Sequence, residues 1–442
     1  MSQQESVEQA PGGVLLSANG YDGNSNGRSG SPRLRVRRVT IMLWTMVVLA
    51  VLSQFFRSSN GVIAPQIMAE LHLDAAVIGL SSGAFFLIFA ALQIPIGVLF
   101  DKYGARLVVS TMLIFSIIGS ALFAVAHSVE ALVAGRFLIG LGLAGGMVGS
   151  LVILARWHSP TDFTRAMTIL FATANLGSLL ATSPLAASAE WIGWRPTFLA
   201  LAVLTAVVGV IFYLVVRDTP EPSQDVGGAR ESLGAKFRGV AQVFRVPGVL
   251  CVMPMVALGY SSVITILGLW GAPYLHEVHG LDNLDSGTLL SVLAVAFVIG
   301  TLAFGPIQRR AGGFRRVVVT SATATGLLLL ALAAFIDSPL IVTVSLLILI
   351  CVIGAFSVVL MGHGISLIPK DLVGRGTTTL NCVLMGGAAV LQIGSGALVE
   401  AAHQWFGTVT AGYAAFFAVL GVLMLGATLL YLRAPEPAPK AT

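Results

Sequence analysis

Apolar stretches of about twenty residues recur along the chain, each closed by a short polar or glycine-containing break. A bilayer core about 30 Å thick takes roughly 20 apolar residues of helix, so each stretch has the length of one crossing. Twelve spans are expected. The first six are Ile41 to Ile63, Ala75 to Phe100, Arg106 to Ala126, Ala131 to Leu154, Ala166 to Ala189 and Pro196 to Val216. The second six are Val249 to Leu275, Ser286 to Phe304, Val317 to Phe335, Leu340 to Met361, Thr378 to Ala401 and Ala411 to Leu432. None alternates with the period of two that a membrane barrel needs, and helices satisfy their backbone within lipid.

The longest polar interruption, Asp218 to Arg245, divides the spans six and six, and it ends in a basic, amphipathic piece before Pro247. The two sets resemble each other internally, since Asp74 to Arg106 has the layout of Asp282 to Phe314. The expected organisation is a tail (1–39), a six-helix bundle (40–217), a central loop (218–246), a second bundle (247–432) and a short tail (433–442). The first tail is rich in Gly, Ser, Asn and Gln, a composition that buries too little apolar surface to fold alone.

Composition agrees with the pattern. Of 442 residues, 56% are hydrophobic and 10% charged, against roughly a quarter charged in soluble domains. That excludes a water-soluble enzyme. The net charge of +5 is scattered between apolar runs and forms no basic patch for nucleic acid. Cys251, Cys351 and Cys382 stand far apart in apolar runs, so neither disulfides, a metal site nor a cofactor is expected. With the N-terminus inside, 22 of the 25 Lys and Arg fall in the tails and the loops on the same side. Cytoplasmic loops retain such residues, so both termini are expected in the cytoplasm of a bacterial-type plasma membrane.

Between spans 2 and 3, Gly97-Val98-Leu99-Phe100-Asp101-Lys102-Tyr103-Gly104-Ala105-Arg106 resembles the signature loop of the major facilitator superfamily. Arg136-Phe137-Leu138-Ile139-Gly140-Leu141-Gly142, followed by Gly145, Gly146 and Gly149, is similar to that family's second motif. Gly374-Arg375-Gly376-Thr377, Gly193 to Phe198 and Leu269 to Leu275 resemble its organic-anion, sugar-phosphate-like and nitrate-like permeases. The resemblance implies an all-α membrane protein of two pseudo-symmetric six-helix halves. It also implies a monomeric secondary transporter, not an enzyme, that moves a small solute by alternating access, with or without a coupling ion. Gating then falls to Gly97, Asp101, Lys102, Gly104, Arg106 and Arg136, where Asp101 would hold the halves together and Arg136 would either bond to span 1 or take part in coupling.

There are departures. Arg309 stands where the second half would have an aspartate, Ser183-Pro184 replaces the Gly-Pro of drug/proton antiporters, and span 7 contains no Lys or Arg.

Arg57 carries the chemical argument. It lies well inside span 1, and no span places an Asp or Glu at mid-depth to neutralise it. A guanidinium facing a wet cavity grips a carboxylate or phosphate through two hydrogen bonds; the alternatives are snorkelling or bonding to helix carbonyls. Asn60, Gln93, Tyr260, Trp270, Asn381 and Gln392 are expected to add neutral hydrogen bonds to substrate, although several can serve as interhelical bonds. The expected substrate is a small organic anion. Export of a drug or metabolite, or a sensor or enzyme that kept the fold, are the competing readings. Coupling through His363 competes with its being simply packed.

Overall fold

The computed structural model describes residues 32–219 and 233–436. The tail 1–31, residues 220–232 of the central loop and residues 437–442 lie outside them. Twelve membrane-length helices are present among the described residues. They are α1 (Arg38–Leu71), α2 (Ala75–Tyr103), α3 (Ala105–Ala124), α4 (Val129–Trp157), α5 (Thr161–Trp191) and α6 (Trp194–Val215). The second half comprises α7 (Val249–His279), α8 (Asn283–Ala311), α9 (Phe314–Ala334), α10 (Leu340–Ser366), α11 (Val373–Phe406) and α12 (Val409–Tyr431). The basic piece of the central loop is a short helix, Leu233–Phe244.

Each expected span is a helix, mostly longer than its apolar stretch. Capping residues, not the last apolar residue, set the ends. Asp74 accepts a hydrogen bond from the Val77 N–H at 2.9 Å and starts α2. Gly104 ends α2 with φ +80°, a conformation that disfavours any residue with a Cβ. In the second half, Asp282 caps α8 by accepting from the Asp285 N–H at 2.7 Å, and Gly312 ends it with φ +70°.

Four helices are interrupted in mid-span. α4 breaks between Leu143 and Gly146, and α10 breaks at the equivalent place in the second half, between Gly354 and Ser357. α5 breaks between Leu180 and Ser183, just before Pro184, which has no N–H to continue the ladder. α7 takes one π-helical turn, Ile266–Trp270, a feature frequent where helices must open or bend.

The two ends of the described chain (Pro32 and Glu436), the helix Leu233–Phe244 and the signature loop share one face of the bundle, here the terminal face; the opposite one is the distal face. Towards the distal face the halves touch backbone to backbone. A Cβ on Gly79 of α2 would lie 2.6 Å from the Gln392 carbonyl oxygen and 2.7 Å from the Gly396 Cα of α11. One on Gly61 of α1 would lie 2.7 Å from the backbone of Gly268 and Leu269 in α7. Between α5 and α8, Ser291 shares hydrogen bonds with Thr182 (2.7 Å) and Ser183 (2.6 Å). Among the described residues, the lower parts of α4 and α10 towards the terminal face pack chiefly within their own halves. The arrangement is closed distally and has no comparable crossing between α4 and α10.

Small residues in membrane helices let backbones approach, and here the approach leaves no room for a side chain. Gly79→Val is therefore expected to cost about 1–3 kcal/mol of the distally closed state through overpacking, measured as a lower melting temperature. Gly394→Ala, whose Cβ meets nothing within 4 Å, should leave the melting temperature unchanged. Equal melting of the two variants would contradict the close crossing.

Candidate functional site

Arg57 lies one turn short of Gly61, the glycine that brings α1 onto the π turn of α7. Its side chain is half-buried, and its guanidinium carbon lies 5.0 Å from the centre of the Phe89 ring of α2. The Nε atom is buried without a hydrogen-bond partner. Among the described residues, Arg57 makes no hydrogen bond and no ion pair. An ion pair joins Arg195 to Glu70 at 2.8 Å on the distal face, where Glu70 also accepts from the Trp194 indole at 2.6 Å.

Gln54 and Ser58, in the same stretch of α1, line a cavity of about 220 Å³ between the halves. Asn175, Ser178 and Thr182 of α5, Tyr260 of α7 and an apolar wall from α8 complete it. Tyr260 is half-buried, and its hydroxyl makes no hydrogen bond to another described residue. The other polar candidates lie elsewhere. Asn381 of α11 donates to the Gln93 Oε1 of α2 at 2.9 Å, and the Gln93 amide donates to the Phe89 carbonyl at 3.2 Å, so this pair ties the halves together. Trp270 is fully buried and donates to the Ser395 Oγ at 2.8 Å. Gln392 is fully buried in the α2–α11 contact with neither amide atom paired to protein, and the Asn60 Nδ2 is likewise buried and unpaired. In this distally closed state the cavity thus receives Tyr260, while Asn60, Trp270 and Gln392 are inside the closed region.

Arg136 is fully buried; its Nη1 donates to the Phe56 carbonyl at 2.9 Å, and its guanidinium lies 5.1 Å from the centre of the Phe85 ring. It therefore fixes α4 to α1 at the residue preceding Arg57. Sequence reasoning missed the hydroxyl group of Thr182, Ser183 and Ser291, since Ser183-Pro184 registered only as a departure from a motif. It also missed the partner of Arg195, which stands 125 positions away. No group of three His, Cys, Asp or Glu able to hold a metal ion occurs among the described residues.

Residues 46–392 match the Major Facilitator Superfamily. The chain belongs to that family. It is 24% identical over 296 residues to a protein of Agrobacterium vitis named as a tartrate transporter, covering 63% of this chain and 66% of the relative. It is 24% identical over 287 residues to a protein of Escherichia coli named as an L-galactonate transporter, covering 61% of this chain and 62% of the relative. These matches span just under two thirds of each relative. A solved structure of a bacterial homologue of the human lysosomal transporter Spinster superimposes with a TM-score of 0.69 at 17% identity, over 92% of this chain and 98% of that one, which shows a common fold.

In this member of the superfamily the signature loop is built as a joint between α2, α3 and the end of α6. Gly97 is half-buried on α2, Asp101 and Lys102 are exposed, and the Lys102 ammonium lies 4.8 Å from the centre of the Tyr103 ring. A Cβ at Gly104 would meet the Asp218 carboxylate at 2.7 Å. Asp218 also accepts from the Arg106 N–H at 2.9 Å, and the Arg106 Nε donates to the Tyr213 carbonyl at 2.8 Å. The second half has the same joint, with Glu436 accepting from the Phe314 N–H at 2.6 Å. There His363 is buried and stacked on Phe314, its Nδ1 lying 2.5 Å from the Tyr431 hydroxyl and its Nε2 3.0 Å from the Pro435 carbonyl. A carbonyl only accepts, so Nε2 carries the proton and Nδ1 accepts from Tyr431. His363 pins the end of α12 to α10. His363→Ala is accordingly expected to cost about 1–3 kcal/mol through unpaired buried partners, seen in thermal melts, while leaving the pH profile of solute flux unchanged. A displaced pH profile would make His363 a coupling residue instead.

Proposed function

We propose that the chain is a secondary transporter of a small organic anion, working by alternating access between the two halves around a site at Arg57. The observation that carries this reading is the half-buried Arg57 guanidinium, with neither a carboxylate nor a carbonyl partner among the described residues, on the stretch of α1 whose Gln54 and Ser58, though not Arg57 itself, line the cavity between the halves. An arginine at mid-membrane costs about 2.5–3.5 kcal/mol on insertion scales. Retaining it unpaired is intelligible if an anion completes it. Tyr260 supplies a hydroxyl from the facing half. The names of the relatives, for tartrate and L-galactonate, support a carboxylate as the group bound. The apolar wall formed by residues such as Leu179, Ile264 and Val298 favours a second reading, export of a hydrophobic solute.

In this proposal the terminal face is cytoplasmic, the protein works as a monomer, and Asp101 closes the cytoplasmic side when the distal side is open. Cysteine labelling in a background lacking the three native cysteines tests the orientation. Arg310→Cys should react from the cytoplasm only and Asp285→Cys from outside only; the reverse pattern would overturn the assignment.

The site itself is tested with purified protein in liposomes. Removing one partner of a desolvated charge pair costs about 2–5 kcal/mol, so Arg57→Ala should weaken binding of tartrate or galactonate thirtyfold or more and abolish their flux. Arg57→Lys should retain a fraction, because it keeps the charge and loses the bidentate fork. Both variants should remain monodisperse. Cationic dye transport that is undiminished or faster in Arg57→Ala would defeat the anion reading and favour export.

A further inference from the structure

The antiparallel pair α2 and α11 crosses between the halves, so the first turn of α2 lies beside the last turns of α11 on the distal face. There the Glu400 Oε2 of α11 accepts a hydrogen bond from the Ala75 N–H, the first residue of α2, at 3.3 Å. The Gln404 amide holds its other oxygen at 2.8 Å. The first four N–H groups of a helix have no partner within it, and the positive end of the helix dipole favours an anion. Asp74, the helix's own cap, serves Val77 and leaves Ala75 to the opposite half. One turn further in, Gly79 and Gly396 bring the two backbones together, which is why a glutamate reaches.

We propose that Glu400 is the positioning residue of a latch that holds the distal side shut by taking the α2 N-terminus from the opposite half. The proposal rests on alternating access. The contact joins halves that must part when the distal side opens, and water then replaces both partners, so its strength sets the balance between the two states. A single charge-to-dipole hydrogen bond suits that role: it biases the closed state and lets go without a large barrier. Asp101 occupies the other, terminal-face end of α2, which packs antiparallel on α11, so each helix of the pair carries a carboxylate near its C-terminal end. The groups facing Glu400 around a cavity of about 340 Å³ are His72 and Asp74 from the first half, and Glu277, His403 and Tyr413 from the second. Tyr413 donates to Glu277 at 2.9 Å, which leaves Glu400 as the carboxylate that reaches across.

The test uses the full chain in proteoliposomes of one orientation, without its three native cysteines and with Thr182→Cys as reporter, and a membrane-impermeant thiol reagent added on the distal side. Thr182 borders the cavity and is buried in the α5–α8 contact, so that reagent reaches it only when the halves part there. Glu400→Gln, nearly isosteric, should raise the labelling rate about fivefold, the effect of losing about 1 kcal/mol of charge-to-helix attraction. Glu400→Ala should raise it further and Gln404→Ala less, all at the wild-type melting temperature. A merely structural Glu400 would instead lower the melting temperature and leave the labelling rate unchanged, and that result would overturn the latch. So would unchanged labelling in Glu400→Asp, should the other variants fail to fold, since the shorter side chain keeps the charge and loses the reach. The assay needs no substrate. Failure of the anion reading would therefore appear as missing Arg57-dependent binding with the labelling shift intact, whereas a Thr182→Cys that never reacts in any variant overturns the latch and alternating access together.

Discussion

On the proposed alternating access, the structure depends on a contact that must be tight enough to exclude solutes and still separable. Lipid tails supply no hydrophobic force between helices, so helix pairs in a membrane associate through close van der Waals packing and hydrogen bonds. Here the distal contact uses backbone against backbone: Gly61 meets α7, Gly79 meets Gly396, and Gly287 faces Ala186. Such surfaces fit closely and have no interlocked side chains to disengage. Among the described residues the hydrogen bonds added to them are few and short in reach, namely those of Ser291, of the Gln93–Asn381 pair, of Cys382 to the Ala90 carbonyl and of Glu400. The tight crossings and the easily exchanged polar contacts answer the two halves of the same requirement.

Against that background the three arginines outside the terminal-face loops are handled in three ways. Arg195 has a carboxylate, Glu70, within reach of water. Arg136 is fully buried and spends one nitrogen on the Phe56 carbonyl and its face on Phe85, which makes it a fixed post for α1. Arg57 has the Phe89 ring and, among the described residues, no hydrogen-bond or ion-pair partner. A ring face gives a cation about 0.5–2 kcal/mol, less than a paired carboxylate gives, so the electrostatic demand of Arg57 is only partly met by protein. Because Arg136 anchors the preceding carbonyl, that unmet charge is held in place.

The sequence carried the twelve helices, the division into halves and the family, because those follow from the length of apolar runs and from a ten-residue loop motif. It did not carry the assignment of faces. Spans such as α10 are apolar all round, so periodicity leaves their orientation open. Trp270 and Gln392 looked like cavity residues for that reason and are enclosed between helices, whereas Tyr260, on the same α7 as Trp270, reaches the cavity. The breaks in α4 and α10 were hidden because glycine in a membrane helix reads equally as packing or as interruption. For His363 the sequence left coupling and simple packing open, because the groups that pack on it from the end of α12 stand 68 and 72 positions away.

The two halves repeat their capping faithfully and their gating unfaithfully. Asp74 and Asp282, Gly104 and Gly312, and Asp218 and Glu436 occupy matching roles at matching helix ends. Arg309, however, stands in the second half where Asp101 stands in the first. In the α2–α11 pair Glu400 accepts from the first N–H of α2, whereas Glu190, in the last turn of α5, makes no hydrogen bond to another described residue, and the α5–α8 pair is joined by the neutral hydroxyls of Thr182, Ser183 and Ser291. Neutral hydroxyls exchange freely with water, and a charge on a helix end does so less readily because it gains from the dipole as well as from the hydrogen bond. On the proposed alternating access the two sides of the distal contact are thus expected to differ in strength, with the α5–α8 side, next to the cavity and to the break at Thr182, the weaker one.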